Sequence, residues 1–455
     1  LKFNFVVSMV APIIKASKGS DSKSFYTDSA FRTWYGEGKN GWRIKYYKGL
    51  GTSTSAEARE YFKKIQELTV KFDMDVMTDD SIVLAFDKKK ADARKTWLLE
   101  STAKDATELE VPYGHVKQLT ITDFIYKDLV NFSLADLKRS IAHVADGLKP
   151  SQRKVMYSCF QKNLTAEMKV AQLAAYVAEK SSYHHGEVSL ADTIVKLAND
   201  YVGSNNINLL EPCGQFGTRL MGGKDASQTR YIFTRLSNQT RSIFDAKDDA
   251  ILNYLDDDGR SIEPEFYMPT LPMVLVNGTE GIGTGFSCYV PPFNPKDIRE
   301  NILNHITGKP IQKMKPWFRG FKGRVFEQDD TWITEGVWKV ISRTIKVSEL
   351  PPGRWTQDYK EYLDTLVEKK VIGNYTNNST TEDVDFVIQE YTGKDIIKDL
   401  KLQKTVRTTN MHLFHPTKGI HKYQSPELIL SDFIDLRCDY YKKRKVHLID
   451  VLQTK

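Results

Sequence analysis

No stretch of this 455-residue sequence is apolar for long enough to span a membrane as a helix, which takes about 20 such residues. Cysteine is scarce. Cys159, Cys213, Cys288 and Cys438 stand far apart with no CxxC pair, which excludes a zinc ribbon and points to reduced thiols in an intracellular compartment. Internal repeats and low-complexity tracts are missing as well. Residues 1–11 lack an initiator methionine, a basic leader region and a small-residue cleavage site, so the expectation is the middle of a longer protein. Strong charge of either sign is also lacking. The net charge of +7 permits a nucleic-acid partner without demanding one, because a solvated surface carries such a balance equally well. What is present, 40% hydrophobic and 27% charged residues, is an ordinary globular composition, and the length calls for two to four domains.

Four textures follow one another. Residues 1–105 mix short strands, such as 43–47, with a charged helix over 55–70. Residues 120–201 are rich in helix, with Ile125, Leu129 and Phe132, then Val170, Leu173 and Val177, at three-four spacing. From 203 to Pro291 and Pro292 the chain is glycine-rich and irregular. Residues 293–425 read as α/β, with strands over 338–345 and 384–388 and a loop over 373–383. A long helix is expected from 426 onward.

Several constellations bear on chemistry. Residues 169–199 read as two helices joined by a turn that holds Lys180, His184, His185 and Gly186, donors suited to a phosphate backbone. Any two packed helices with a polar turn would show the same periodicity. Upstream, Asp146-Gly147-Leu148-Lys149-Pro150 makes a turn and a helix start, and three cations, Lys149, Arg153 and Lys154, crowd that helix N-terminus. Downstream, glycines at 214, 217, 222 and 223, with Lys224 after them, lead to Arg230-Tyr231. A phenol can attack a phosphodiester only with a base and cationic help nearby, and an adjacent guanidinium supplies the second. One tyrosine among 22 is nonetheless more often a packing residue. Lys48 heads a tight glycine turn, Tyr47-Lys48-Gly49-Leu50-Gly51-Thr52-Ser53, that resembles a phosphate-contacting loop but is not a Walker A sequence. Ile282 stands among four glycines over 277–285, either as a small apolar anchor or as a wedge between base steps.

In this order the segments resemble the DNA-cleavage core of type IIA topoisomerases, from about Val10 to the end. DGLKPSQRK, VAQLAAYVAEKSSYHHGE, GSNNINLLEPCGQFGTR, GGKDASQTRYIFT and NGTEGIGTGFS occur at the spacing of that family. The YKGLGTS loop precedes the tyrosine on one polypeptide, which is similar to the eukaryotic enzymes and those of large DNA viruses. The short linker over 103–112 favours a divergent or viral member, for which African swine fever virus is a candidate source.

The resemblance implies a multidomain α/β and α+β architecture. Residues 1–105 would be the C-terminal part of a TOPRIM domain, 106–292 a winged-helix domain with the catalytic tyrosine, 293–425 an α/β tower and 426–455 the start of a coiled coil. It implies that Tyr231 forms a 5′-phosphotyrosyl link, that Arg230, Arg153 and His185 serve the same centre, and that Ile282 kinks the DNA. Lys48, Lys154, Lys180, His184 and Lys224 would contact DNA. Mg²⁺ and ATP are implied cofactors whose ligands lie outside this sequence, since no Asp-x-Asp-x-Asp set or Glu-Gly-Asp precedes Tyr47. The implied partners are double-stranded DNA and a second copy of the chain, with no membrane. The location is the nucleus for a cellular enzyme, and host cytoplasm or virion for a viral one. Two rival readings remain: a non-catalytic winged-helix DNA-binding or architectural protein, and a phosphotyrosyl enzyme that forms 3′ links.

Overall fold

Proline starts the helix on which the central region is built. The computed structural model describes residues 7–36, 38, 41–47, 53–102, 109–114, 116–183, 185–257 and 260–454. Helix α1 (Pro150–Lys162) follows an extended Lys149, the backbone that a residue before proline prefers. The Lys149 amide donates to the Gln152 side chain at 2.9 Å, and Asn163 closes the helix in the left-handed region. After strand β1 (Met168–Lys169), helix α2 (Val170–Lys180) buries Val170, Leu173, Ala174 and Val177. Helix α3 (Glu187–Ala198) buries Leu190, Ala191, Ile194, Val195, Leu197 and Ala198. Three-four spacing places these on one face of each helix, and the two helices pack together. Each fully buried Leu or Ile contributes about 1.5–3 kcal/mol relative to exposure. Strands β2 (Leu210–Cys213) and β3 (Phe233–Leu236) complete an antiparallel sheet ordered β1-β3-β2 beside this pair. Helix pair and small sheet together are the expected winged helix.

The chain divides into two compact units, Leu1–Leu137 with Gly283–Phe286, and Lys138–Ile282 with Ser287–Lys455. In the first, Ile14–Lys18 pairs with Asp21–Phe25 and Arg43–Tyr46 over a core of Phe25, Phe31, Trp34 and Trp42. The helix expected over 55–70 is shorter. It ends at Lys63, a single turn follows, and Thr69–Asp73 is a strand. β-branched Thr69 and Val70 favour that conformation, and Val70 packs with Val111 and Leu119. The unit continues past residue 105 because Gln118–Thr120 pairs in parallel with that strand.

In the second unit a hairpin of β4 (Thr279–Ile282) and β5 (Ser287–Val290) precedes the α/β region. There β6 (Val337–Ile341), β7 (Thr344–Glu349), α4 (Thr356–Glu368), β8 (Asn374–Asn377) and β9 (Phe386–Gln389) form a sheet ordered β6-β7-β9-β8 with α4 against it. Its core includes Val347, Tyr359, Leu363, Phe386 and Ile388. The single strand expected over 338–345 is the hairpin β6–β7, turned at Ser342 with φ 55°. The loop expected over 373–383 opens with edge strand β8, and the strand over 384–388 starts later, at Phe386. Helix α5 (Pro426–Thr454) ends the described chain and buries Phe433, Ile434, Arg437 and Tyr440.

Candidate functional site

Tyr231 sits where the glycine-rich loop feeds into β3, and the start of α2 holds it there. The amides of Val170 and Ala171 donate to the carbonyls of Ile232 (3.0 Å) and Thr229 (3.1 Å), so the backbone on both sides of the tyrosine is fixed to a helix terminus. Its own amide turns back to the Gln228 carbonyl at 2.9 Å. The side chain is 66% exposed, far more than a packing tyrosine would be. The Arg230 guanidinium lies over its ring, 4.9 Å from the centroid.

The loop before it is braced from within. The Thr218 amide and hydroxyl donate to the two Asp225 oxygens at 2.8 and 2.5 Å. At Gly217, φ +97°, an added Cβ would stand 2.5 Å from the Gly223 Cα, so only glycine lets the two strands of the loop touch. Between this loop and α3 lies an open cavity of about 740 Å³ lined by Lys196, Asn199, Tyr201, Lys224, Gln228 and Arg230, among others. Three cations thus converge on one groove beside the exposed phenol. Burial raises the pKa of Tyr201, whose phenol is part of that lining.

Among the described residues, Arg153, Lys154, Lys180, His185 and Ile282 are not part of this lining. Arg153 is 5% exposed and committed to Asp146 (2.7 and 3.1 Å) and to the Leu148 carbonyl (2.9 Å). Lys154 donates to the Ser181 carbonyl (2.5 Å) and to Glu263 (2.8 Å), tying α1 to the turn after α2. In this conformation both cations hold protein together. His185 is exposed and lies edge-on to Tyr183, with ring centroids 5.4 Å apart. Lys180 reaches over the Tyr176 ring at 5.9 Å. Ile282 ends β4 and is 79% exposed, as an inserting side chain must be. Lys48 and His184 lie outside the described residues.

One residue of the groove escaped the sequence reading, and a second was read only as a cation at a helix start. Lys196 lines the groove from α3, one helical turn after Asp192 on the same face; that repeat was the available signal. Lys149 donates to the Glu280 carbonyl at 2.7 Å and so anchors the hairpin that bears Ile282. Burial lowers its pKa. Among the described residues no group of three or more His, Cys, Asp and Glu side chains could hold a metal ion, and no helix is long and apolar enough to cross a membrane.

Comparison with known proteins places this geometry in context. The family model for the A-type subunit of DNA gyrase/topoisomerase IV matches residues 139–455, and that for the C-terminal associated domain of TOPRIM matches residues 9–137. The chain is 45% identical to DNA topoisomerase 2 of Plasmodium falciparum, covering 99% of the chain and 33% of that protein. It is 43% identical to the mitochondrial DNA topoisomerase 2 of Dictyostelium discoideum (99% and 36%) and 44% identical to DNA topoisomerase 2-alpha of Gallus gallus (99% and 31%). The crystal structure of the Plasmodium falciparum topoisomerase II DNA-binding, cleavage and re-ligation domain superposes with a TM-score of 0.83 at 45% identity. It covers 99% of this chain and 63% of that one. The chain therefore spans about a third of the length of the curated relatives it matches.

Proposed function

We propose, from the premise that this chain belongs to the eukaryotic-type type IIA DNA topoisomerases and comprises their cleavage core, that its protein passes one DNA duplex through a transient break in another. The observation that carries this reading is the exposed Tyr231 with Arg230 over its ring, at the edge of a groove that also holds Lys196 and Lys224. The Tyr231 oxygen attacks the scissile phosphorus. The phenol gives up its proton, the bond from phosphorus to the 3′-oxygen breaks, and that oxygen takes up a proton to leave as the 3′-hydroxyl. Arg230 swings from the ring to the non-bridging oxygens as their charge grows. The tyrosyl phosphodiester conserves bond energy, so the 3′-oxygen can reverse the step without ATP. His185, Lys180, Lys224 and Ile282 belong to the DNA-facing surface in this reading. Arg153 and Lys154 support that surface from beneath.

We assign Mg²⁺ and ATP to parts of the protein outside this sequence, and duplex passage to a homodimer whose two tyrosines cut opposite strands. A nuclear location fits a cellular enzyme, although one relative is named mitochondrial; host cytoplasm or virion fits a viral one. The test is covalent trapping. The full-length enzyme, mixed with plasmid and quenched in SDS, should retain DNA on protein, and Tyr231→Phe should retain none. An adduct that persists in the Phe variant would sink the assignment.

A further inference from the structure

The loop that carries Tyr231 is fastened by a buried ion pair that the cleavage step does not consume. Arg219 is 6% exposed and Glu349, at the end of β7, is 1% exposed. Two guanidinium nitrogens meet the carboxylate at 2.5 and 3.3 Å. Glu349 also accepts the amides of Leu350 (2.8 Å) and Lys322 (3.2 Å), so both of its oxygens are fully engaged. A buried ion pair gains little stability over apolar residues of equal volume. Stability alone is a weak reason for it to sit here.

Adjacent contacts run in the same direction. The Gln357 amide, in the first turn of α4, donates to the Leu220 carbonyl at 2.9 Å. At Gly222, φ +62°, a Cβ would stand 2.3 Å from the Trp355 indole, so the loop packs directly against that ring. Residues 219, 220 and 222 are thus docked in series onto the β7–α4 connection. From Gly222 the chain continues along the groove to Arg230, the residue before Tyr231.

We infer that Arg219 and Glu349, backed by Trp355, are positioning residues that set where the Tyr231 hydroxyl stands relative to the bound phosphate. They thereby control the rate of strand cleavage without themselves holding DNA. This inference rests on Tyr231 being the nucleophile.

The experiment uses the full-length enzyme and follows single-turnover adduct formation at saturating duplex, with DNA affinity by anisotropy and melting temperature alongside. Arg219→Ala should slow adduct formation by about 100-fold, the effect of a misplacement of about 1 Å at a reacting centre. Affinity should stay within about threefold, since no phosphate contact is removed. Arg219→Lys, which keeps one charged donor, should recover part of the rate. Trp355→Leu, which leaves the ion pair intact, should slow cleavage as well, and it carries the test if Arg219→Ala does not fold. A purely structural pair would instead lower the melting temperature and leave the rate of the folded enzyme within about twofold of wild type, and that result overturns the inference. Tyr231→Phe is run in parallel. An adduct in that variant defeats the nucleophile assignment itself, whereas a normal rate in Arg219→Ala and Trp355→Leu defeats only the positioning role.

Discussion

Arg230 lies over the Tyr231 ring in the structure, and the proposed reaction gives it a second partner, the scissile phosphate. Its guanidinium over the Tyr231 ring at 4.9 Å contributes about 0.5–1 kcal/mol at an exposed site, weak enough to be given up when a phosphate enters. Arg230→Ala should therefore slow adduct formation by about 10²–10³-fold, the usual loss for one donor to a developing oxyanion. Arg230→Lys should recover only part, because an ammonium lacks the planar fork that matches two phosphate oxygens. Single-turnover trapping measures both, and an Arg230→Ala enzyme at wild-type rate would remove the role. Arg153 marks the limit of residue-level reading. In the sequence it stands beside Lys154 at a helix start and looks equally available to DNA. In the fold, Asp146, seven residues earlier, claims two of its nitrogens.

Elements were legible where their signals were local. Helices α2 and α3 followed from Val, Leu and Ile at three-four spacing, and their observed ends differ from the expected ones by a residue or so. The β6–β7 hairpin was missed because its turn, Ser342-Arg343, contains no glycine or asparagine to announce it. Strand β8 was hidden by its asparagines and becomes a strand only through pairing with β9. The Arg219–Glu349 clamp spans 130 residues and has no local signature at all. A further property appears only at the level of packed elements. His143 stacks on Phe266 with centroids 4.4 Å apart and 7° between planes, and its Nδ1 accepts the Ala145 amide at 3.2 Å. Burial lowers its pKa to about 4, and of the charged groups facing it Asp146 pulls upward while Arg153 and His415 push further down. The unfolded chain takes up this proton near the ordinary value of 6.5, before the folded one does. Its contribution to stability is therefore complete above pH 6.5, is lost as pH falls to about 4, and changes no further below that. Urea titrations at pH 7, 5 and 4 should show that loss, and His143→Gln should flatten it. An equal slope in the variant would refute the assignment.

Over the whole molecule, the long helix α5 is rooted by charge. Asp248 accepts from Arg437 at 2.7 Å and from two nitrogens of Arg444 at 2.7 and 2.8 Å, and Asp245 takes a third at 2.8 Å. The Arg437 guanidinium also lies over Tyr441, 3.8 Å from the ring centroid. Asp248→Ala would strand these cations, and removing one partner of a buried pair costs about 3–5 kcal/mol. Urea unfolding should register that loss; a change under about 1 kcal/mol would mean the root is held by its apolar contacts alone. The central claim, however, is chemical, and it concerns one oxygen atom. Trapped adduct from the full-length enzyme, digested with nuclease and then with trypsin, which cuts after Arg230 and Arg235, places Tyr231 in a five-residue peptide. Mass spectrometry should find that peptide, Tyr-Ile-Phe-Thr-Arg, carrying a nucleotide through its 5′-phosphate. A nucleotide on any other residue, or one linked through its 3′-phosphate, would contradict the account.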